Sequence, residues 1–374
     1  MSTEKAAESS GRTAWDPWIL LSVLALLGLG LVMVLSASAV MAERAYGDEY
    51  YFFRRQAIYA FIGLGAMFAA SRVPMALIYR TVYVWLMLAF ILLALTLTPL
   101  GASVSGASRW LRIGPMTLQP LEPAKVALVL YLAYFFSHKQ EKVKTFSVGF
   151  FPPVVVTGVM AGMLALQPDF GGAVFVTALF VMLSLVGGAR LIYLLCSLVL
   201  CFGAGTLMIL QSPYRLQRWL GFLHPFQNAQ DIGYQIVQSL YGLGAGGIFG
   251  QGLGSGRQKL FFLPEAHTDF ILAVLGEELG FIGLSFVFIC LGVFMIRSFV
   301  IALQHSRLQD RFTAFGLSLV LILGALLNMA VVLGAVPPKG LPMPFISYGG
   351  SNLLMMCICA GLIMNISKRR GFIE

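Results

Sequence analysis

Apolar stretches of membrane-spanning length recur along this chain of 374 residues, and that recurrence limits the fold more than any motif does. A spanning helix needs roughly 20 mostly apolar residues. Runs of that kind fall near residues 16–40, 56–72, 80–99, 120–137, 148–166, 170–188, 190–210, 268–297, 311–334 and 347–367. The expected fold class is therefore an all-α polytopic membrane protein. It has about ten transmembrane helices and a large extracytoplasmic loop, 211–267, between the seventh and the eighth. Only 11% of the residues are charged, against about a quarter in soluble domains, which points the same way.

Residues 1–14 form a polar N-terminal tail, 15–367 the transmembrane domain and 368–374 a basic C-terminal tail. No small-residue cleavage pattern precedes Trp15, so the first helix is expected to be retained rather than removed as a signal peptide. The five cysteines lie in apolar runs without metal-ligand spacing and are expected to pack rather than ligate. No internal repeat is visible, which argues against an inverted-repeat transporter.

The net charge of +9 comes from lysines and arginines scattered among the connections. That pattern suits anionic lipid headgroups or an anionic substrate better than nucleic acid. The larger share of the 25 cations lies on one side if both termini are cytoplasmic, with local clusters at 137–144 and in the tail. The long connections 100–125 and 211–267 then face outward.

One segment carries ionisable groups where they are costly. In FFLPEAHTDFILAVLGEELG (261–280), Asp269 stands where the long loop enters a helix, and Glu277 and Glu278 interrupt that helix. On an ideal helix the two glutamates lie about 80° and 180° round from Asp269 and roughly 12–14 Å deeper. They are expected to be structural, hydrogen-bonded within the bundle. Asp269 either caps its helix or serves as a catalytic carboxylate, and the two roles are compatible.

The remaining outward connections add further candidates. The 100–125 segment, rich in Gly, Ser and Pro, is expected to be a loop. Glu122 and Lys125 at its end are three apart on a helix and can pair. Asp169, in QPDFGG, is expected to N-cap the next helix. The long loop holds Arg215 and Arg218, and its apolar residues Ile236, Val237, Leu240 and Leu243 suggest a helix lying along the membrane surface. Its GLGSG stretch lacks the strand and GK[ST] of a phosphate-binding loop. The segment 337–352, with four prolines and three glycines, is expected to be a rigid non-helical insert dipping toward the last span, which is tolerated only in a protein-lined or polar setting. A lone carboxylate among cations, with no Ser/His/Asp or Cys/His system and no histidine zinc cluster, suits a substrate with a phosphate or pyrophosphate leaving group.

RWLRIG (109–114), QPLEPAK (119–125), QPDFGG (167–172), LPEAHTDFI (263–271), GEELG (276–280) and PPKGLPMPFISYGGSN (337–352) resemble the SEDS family over nearly the whole chain, and its cell-division branch more than its elongation branch. The resemblance implies a peptidoglycan glycosyltransferase that polymerises lipid II at the septum. It implies that Asp269 deprotonates the acceptor and that Lys125, Arg215, Arg218 and Lys339 contact pyrophosphate. Arg109, Glu122, His267 and Ser347 would line the cavity, with Asp169, Glu277, Glu278, Gly349 and Gly350 structural. It also implies a class B penicillin-binding transpeptidase and other divisome membrane proteins as partners. A Mg or Mn ion is chemically plausible against pyrophosphate, although no ligand set is legible. A lipid II flippase, a non-enzymatic division scaffold and an elongation-type polymerase are the competing readings.

Overall fold

Helices account for most of the structure, a computed structural model that describes residues 15–368 except 105, 106, 115, 212, 232 and 339. In chain order the helices are α1 (Pro17–Tyr46), α2 (Tyr51–Ala70), α3 (Met75–Arg80), α4 (Val82–Leu95), α5 (Leu121–His138), α6 (Phe151–Leu166) and α7 (Phe170–Val186). They continue with α8 (Leu191–Leu210), α9 (Pro213–Leu223), α10 (Tyr234–Gly246), α11 (Ile271–Gln304), α12 (Leu308–Val332) and α13 (Gly350–Ser367). A helix stands in each of the ten expected apolar runs. Six segments are long and apolar enough to cross a membrane: α1, Phe146–Leu166, α8, α11, α12 and α13. α4 and α7 are apolar but shorter, while α2 and α5 carry charged residues near their starts. The protein is a multi-pass membrane protein.

The 100–125 connection departs from the loop expected there. It folds into a three-stranded antiparallel sheet, β1 (Gly101–Val104), β2 (Ala107–Ile113) and β3 (Met116–Leu118), in that spatial order. Polar and apolar residues do not alternate along β2, where Ser108-Arg109 and Trp110-Leu111 break the two-residue period of a strand, and the Gly, Ser and Pro around it read as loop. The register jumps between Ala102↔Trp110 and Ser103↔Ser108, which leaves Arg109 as the extra residue of a bulge.

Lipid supplies no hydrophobic drive for helix association, so close approach at small residues matters more than in water. α5 is the innermost helix, buried along nearly its whole length against α4, α7, α12 and α13. α2 packs on α13, and α11 on α1, α10 and α12. The segment between α12 and α13 is non-helical and dips into this bundle, as its prolines and glycines lead one to expect. Phe345 meets Phe294 of α11 with ring centroids 6.4 Å apart, and its carbonyl would lie 2.5 Å from a Cβ at Gly30 of α1. Gly30→Ala is therefore expected to push the insert off α1 and destabilise the fold by about 1–3 kcal/mol. A thermal unfolding midpoint equal to wild type would contradict that contact.

α11 is broken at Gly280 (φ 64°), and the glycine-rich loop repairs the break. Gln251 and Gly252 donate their N–H groups to the Glu277 and Glu278 carbonyls (2.9 and 3.0 Å), and Phe281 and Ile282 donate to Gly247 and Ile248 (2.9 and 3.2 Å). Gly250 (φ 78°) must be glycine, because a Cβ would meet the Glu278 carbonyl at 2.2 Å. α10 also differs from expectation. It turns Ile236 and Val237 into protein, against α11 and the end of α12, and Ser239 Oγ donates to the Val332 carbonyl (2.7 Å). Leu240 and Leu243 are half-buried beside them. Of the cysteines, Cys357 and Cys359 pack internally, whereas Cys196 and Cys201 face outward from α8.

Candidate active site

A cavity of about 760 Å³ opens where the sheet, the start of α2, the approach to α10, the turn before α11 and the insert before α13 converge. Among the described residues, three arginines (Arg55, Arg109, Arg112) and three carboxylates (Asp231, Glu265, Asp269) line it, together with Tyr59, Trp110, Tyr234 and Tyr348. Its walls thus carry charge of both signs, which suits a substrate with both polar sugars and an anionic group.

Asp269 is half-buried in the wall. α11 begins only at Ile271, and its N-cap position is Phe270, which makes no side-chain cap. Phe270, and not Asp269, thus holds the N-cap position. The turn that presents it is tight: Glu265 stands at φ 57°, Thr268 and Phe270 donate their N–H groups to the Glu265 carbonyl (both 3.2 Å), and Thr268 Oγ1 donates to Glu265 Oε2 (2.7 Å).

Arg109 reaches the cavity because of the bulge, which re-aims the side chain that strand alternation would turn the other way. It is steadied from behind. Nη2 donates to the Pro168 carbonyl (2.8 Å), and Nε lies 3.9 Å from Asp169 Oδ1. A Cβ at Gly340 would lie 3.3 Å from Arg109 Nη1 and 3.7 Å from Asp269 Oδ2, so cation and carboxylate flank one glycine. Trp110 and Arg112 share the face of β2 that lines the cavity, with Ala102 and Thr117 across from them.

Asp169 N-caps α7, accepting from the Gly172 N–H (3.0 Å). Asp169→Ala is expected to cost about 0.5–2 kcal/mol from the lost cap and to loosen Arg109. Asp169→Asn can still cap, so it should keep most of the stability while weakening the hold on Arg109. An unfolding midpoint unchanged in the alanine variant would remove the cap from the account.

Glu122 and Lys125 lie beneath the cavity, not in its wall. They are 0% and 2% exposed, Lys125 Nζ donates to Glu122 Oε1 (2.9 Å), and Nζ sits 4.6 Å above the Phe175 ring. Asn352, which does line the cavity, donates to Glu122 Oε2 (3.1 Å). Lys125 is thus committed to an internal pair, which corrects the expectation that it and Glu122 touch substrate. His267 and Ser347 are also buried behind the wall. His267 packs against Phe52 and Tyr348, and burial pushes its pKa below the usual value, with the Glu265 charge opposing. Ser347 Oγ donates to the Thr268 carbonyl and accepts from the Met343 N–H. Gly349 lines the cavity, and Gly350 abuts Tyr59, whose ring leaves no room for a Cβ.

Glu277 and Glu278, 1% and 0% exposed, lie away from the cavity. Glu277 accepts from the Arg257 and Gln258 N–H groups (2.8 and 3.1 Å). Glu278 accepts from Lys259 Nζ, Ser36 Oγ and the Gly254 N–H. Arg215 and Arg218 stand in α9, but their side chains lie outside the described residues, as does Lys339. Arg55, Arg112 and Glu265 were not candidates from the sequence. The one hint for Arg55 is the arginine pair at 54–55 opening α2 on the outward side. Arg54 pairs with Asp48 (3.2 Å), whereas Arg55 lies over the Tyr51 ring at the cavity. Among the described residues, no group of three or more His, Cys, Asp or Glu side chains is arranged to hold a metal ion.

Residues 17–371 match the family model FTSW_RODA_SPOVE, described as a cell cycle protein. The chain is 44% identical over 357 residues to a probable peptidoglycan glycosyltransferase FtsW of Trichlorobacter lovleyi, covering 94% of this chain and 93% of that one. It is 43% identical over 360 residues to a protein of the same description from Coxiella burnetii, covering 95% and 96%. A solved structure reported as "Structural coordination of polymerization and crosslinking by a peptidoglycan synthase complex" is similar in fold. Its TM-score is 0.77 at 27% identity, over 96% of this chain and 99% of that one.

Proposed function

The chain belongs to the FtsW, RodA and SpoVE family of cell cycle proteins, and from that premise we propose that it is a peptidoglycan glycosyltransferase that polymerises lipid II for septal wall synthesis, with Asp269 as general base. The observation that carries this reading is the place of Asp269 in the wall of a cavity that, among the described residues, Arg55, Arg109 and Arg112 also line.

Asp269 takes the proton of the acceptor's GlcNAc 4-hydroxyl as that oxygen attacks C1 of the donor MurNAc. The C1–O bond to the pyrophosphate breaks, and its electron pair leaves with undecaprenyl pyrophosphate, giving an inverted β-1,4 link. Charge grows on the leaving group in this step. Arg109 and Arg112 on the sheet and Arg55 on α2 offset it from preset positions. Lys339, outside the described residues, is assigned to the same task from its place in the 337–352 motif. The cavity faces outward, with both termini cytoplasmic, and a class B penicillin-binding transpeptidase works beside the chain. Similarity to a polymerising and crosslinking complex supports that partnership.

Detergent micelles separate this reading from a flippase, because they have no second leaflet to transport into. Labelled lipid II incubated there with the full chain and its transpeptidase partner is expected to become glycan polymer with release of undecaprenyl pyrophosphate. Transport in liposomes without polymer in micelles would favour the flippase, and neither activity would favour a scaffold.

A further inference from the structure

We infer that Asn328 and Ser347 are positioning residues, which hold Asp269 in place through its backbone; this rests on the reading of Asp269 as the base. Three consecutive carbonyls of the turn that presents Asp269 are each tied down from outside the turn. The Tyr348 N–H donates to the His267 carbonyl (3.0 Å), Ser347 Oγ to the Thr268 carbonyl, and Asn328 Nδ2 to the Asp269 carbonyl (2.8 Å).

The turn needs these ties because the helix does not supply them. In a continuing α-helix the Ala273 N–H would bond the Asp269 carbonyl four residues back. Here it bonds the Phe270 carbonyl instead, at 2.9 Å. Asn328 stands on α12 and is 1% exposed. A side-chain amide has two N–H donors, and Nδ2 places both on carbonyls of different segments, Asp269 and Leu341, each at 2.8 Å. One buried amide thus joins the catalytic turn to the insert before α13. The opposite amide orientation would set Oδ1 against two carbonyls, so the network fixes which end is which. Ser347 makes the second join. Its hydroxyl accepts from the Met343 N–H (2.8 Å) within the insert while donating to Thr268. Neither residue lines the cavity, so both act through Asp269.

The test is kcat and KM for lipid II polymerisation by the full chain, with an unfolding midpoint for each variant. Asn328→Asp keeps the side-chain shape but removes both donors. Ser347→Ala removes the hydroxyl and Ser347→Thr restores it. Ser38→Ala is the matched control, since it deletes a buried hydroxyl bonded within α1 to the Val34 carbonyl (2.6 Å). A displacement of about 1 Å at a reacting group costs on the order of 10²-fold. Asn328→Asp and Ser347→Ala are therefore expected to lose roughly 10–100-fold in kcat, with KM within about 3-fold. Ser347→Thr should recover most of the loss, and Ser38→Ala should turn over as wild type does. If Asn328→Asp does not fold, the Ser347 pair decides. Wild-type kcat in Asn328→Asp and Ser347→Ala, a rise confined to KM, or no recovery in Ser347→Thr overturns the inference. Asp269→Ala in the same assay separates the two claims. If it is inactive while Asn328→Asp and Ser347→Ala are fully active, only the positioning role fails. If it is active, the base assignment itself fails.

Discussion

Asp269→Asn is expected to lower kcat for lipid II polymerisation by about 10²–10⁴-fold, the range a general base supplies, while lipid II binding is kept or tightened. The substitution preserves size and removes the proton acceptor, leaving the three cavity arginines in place for the anionic group. A loss confined to kcat marks an interaction made in the transition state and not in the bound ground state. Binding measured alongside turnover checks both halves of the expectation. Wild-type turnover in the asparagine variant would transfer the role to another carboxylate, of which Glu265 is the nearest in sequence lining the same cavity.

Lys125→Met is expected to destabilise the protein by about 3–5 kcal/mol, because it strands the Glu122 charge in the core. The side chains of Lys125 and Glu122 are 3% and 0% exposed, so water cannot take over from the missing partner. Asn352 supplies one hydrogen bond to Glu122 but no charge. Removing both charges, as Lys125→Met with Glu122→Gln, should return most of the stability, since replacing a buried pair by neutral groups is often close to neutral. Thermal unfolding in detergent measures both. A stable Lys125→Met protein with a raised KM would instead restore the direct pyrophosphate contact that the motif suggested.

How much of this was legible in the residues depended on the range of the signal. The apolar runs are local and long, so helices stand where hydropathy put them, and the prolines of the 337–352 segment announced its non-helical path. The sheet was hidden because 100–118 is rich in residues that also make loops, and its Arg109 bulge is a matter of register between strands. Glu122 and Lys125 show the same limit. Their spacing places them on one helical face, but not whether that face turns to the cavity or the core. Arg55 depends on how α2 is rotated, and Asn328 lies in an apolar run where one asparagine gives no sign of its two carbonyl partners. Contacts across elements decide these cases, and one chain read in order does not contain them.

If Asp269 accepts the acceptor's proton, the pH dependence of kcat/KM carries its signature. In the wild-type chain the rate is expected to fall on the acid side as the essential base becomes protonated. In Asp269→Asn the small residual rate should lack that acid limb. The same acid limb in the variant as in wild type would contradict the claim.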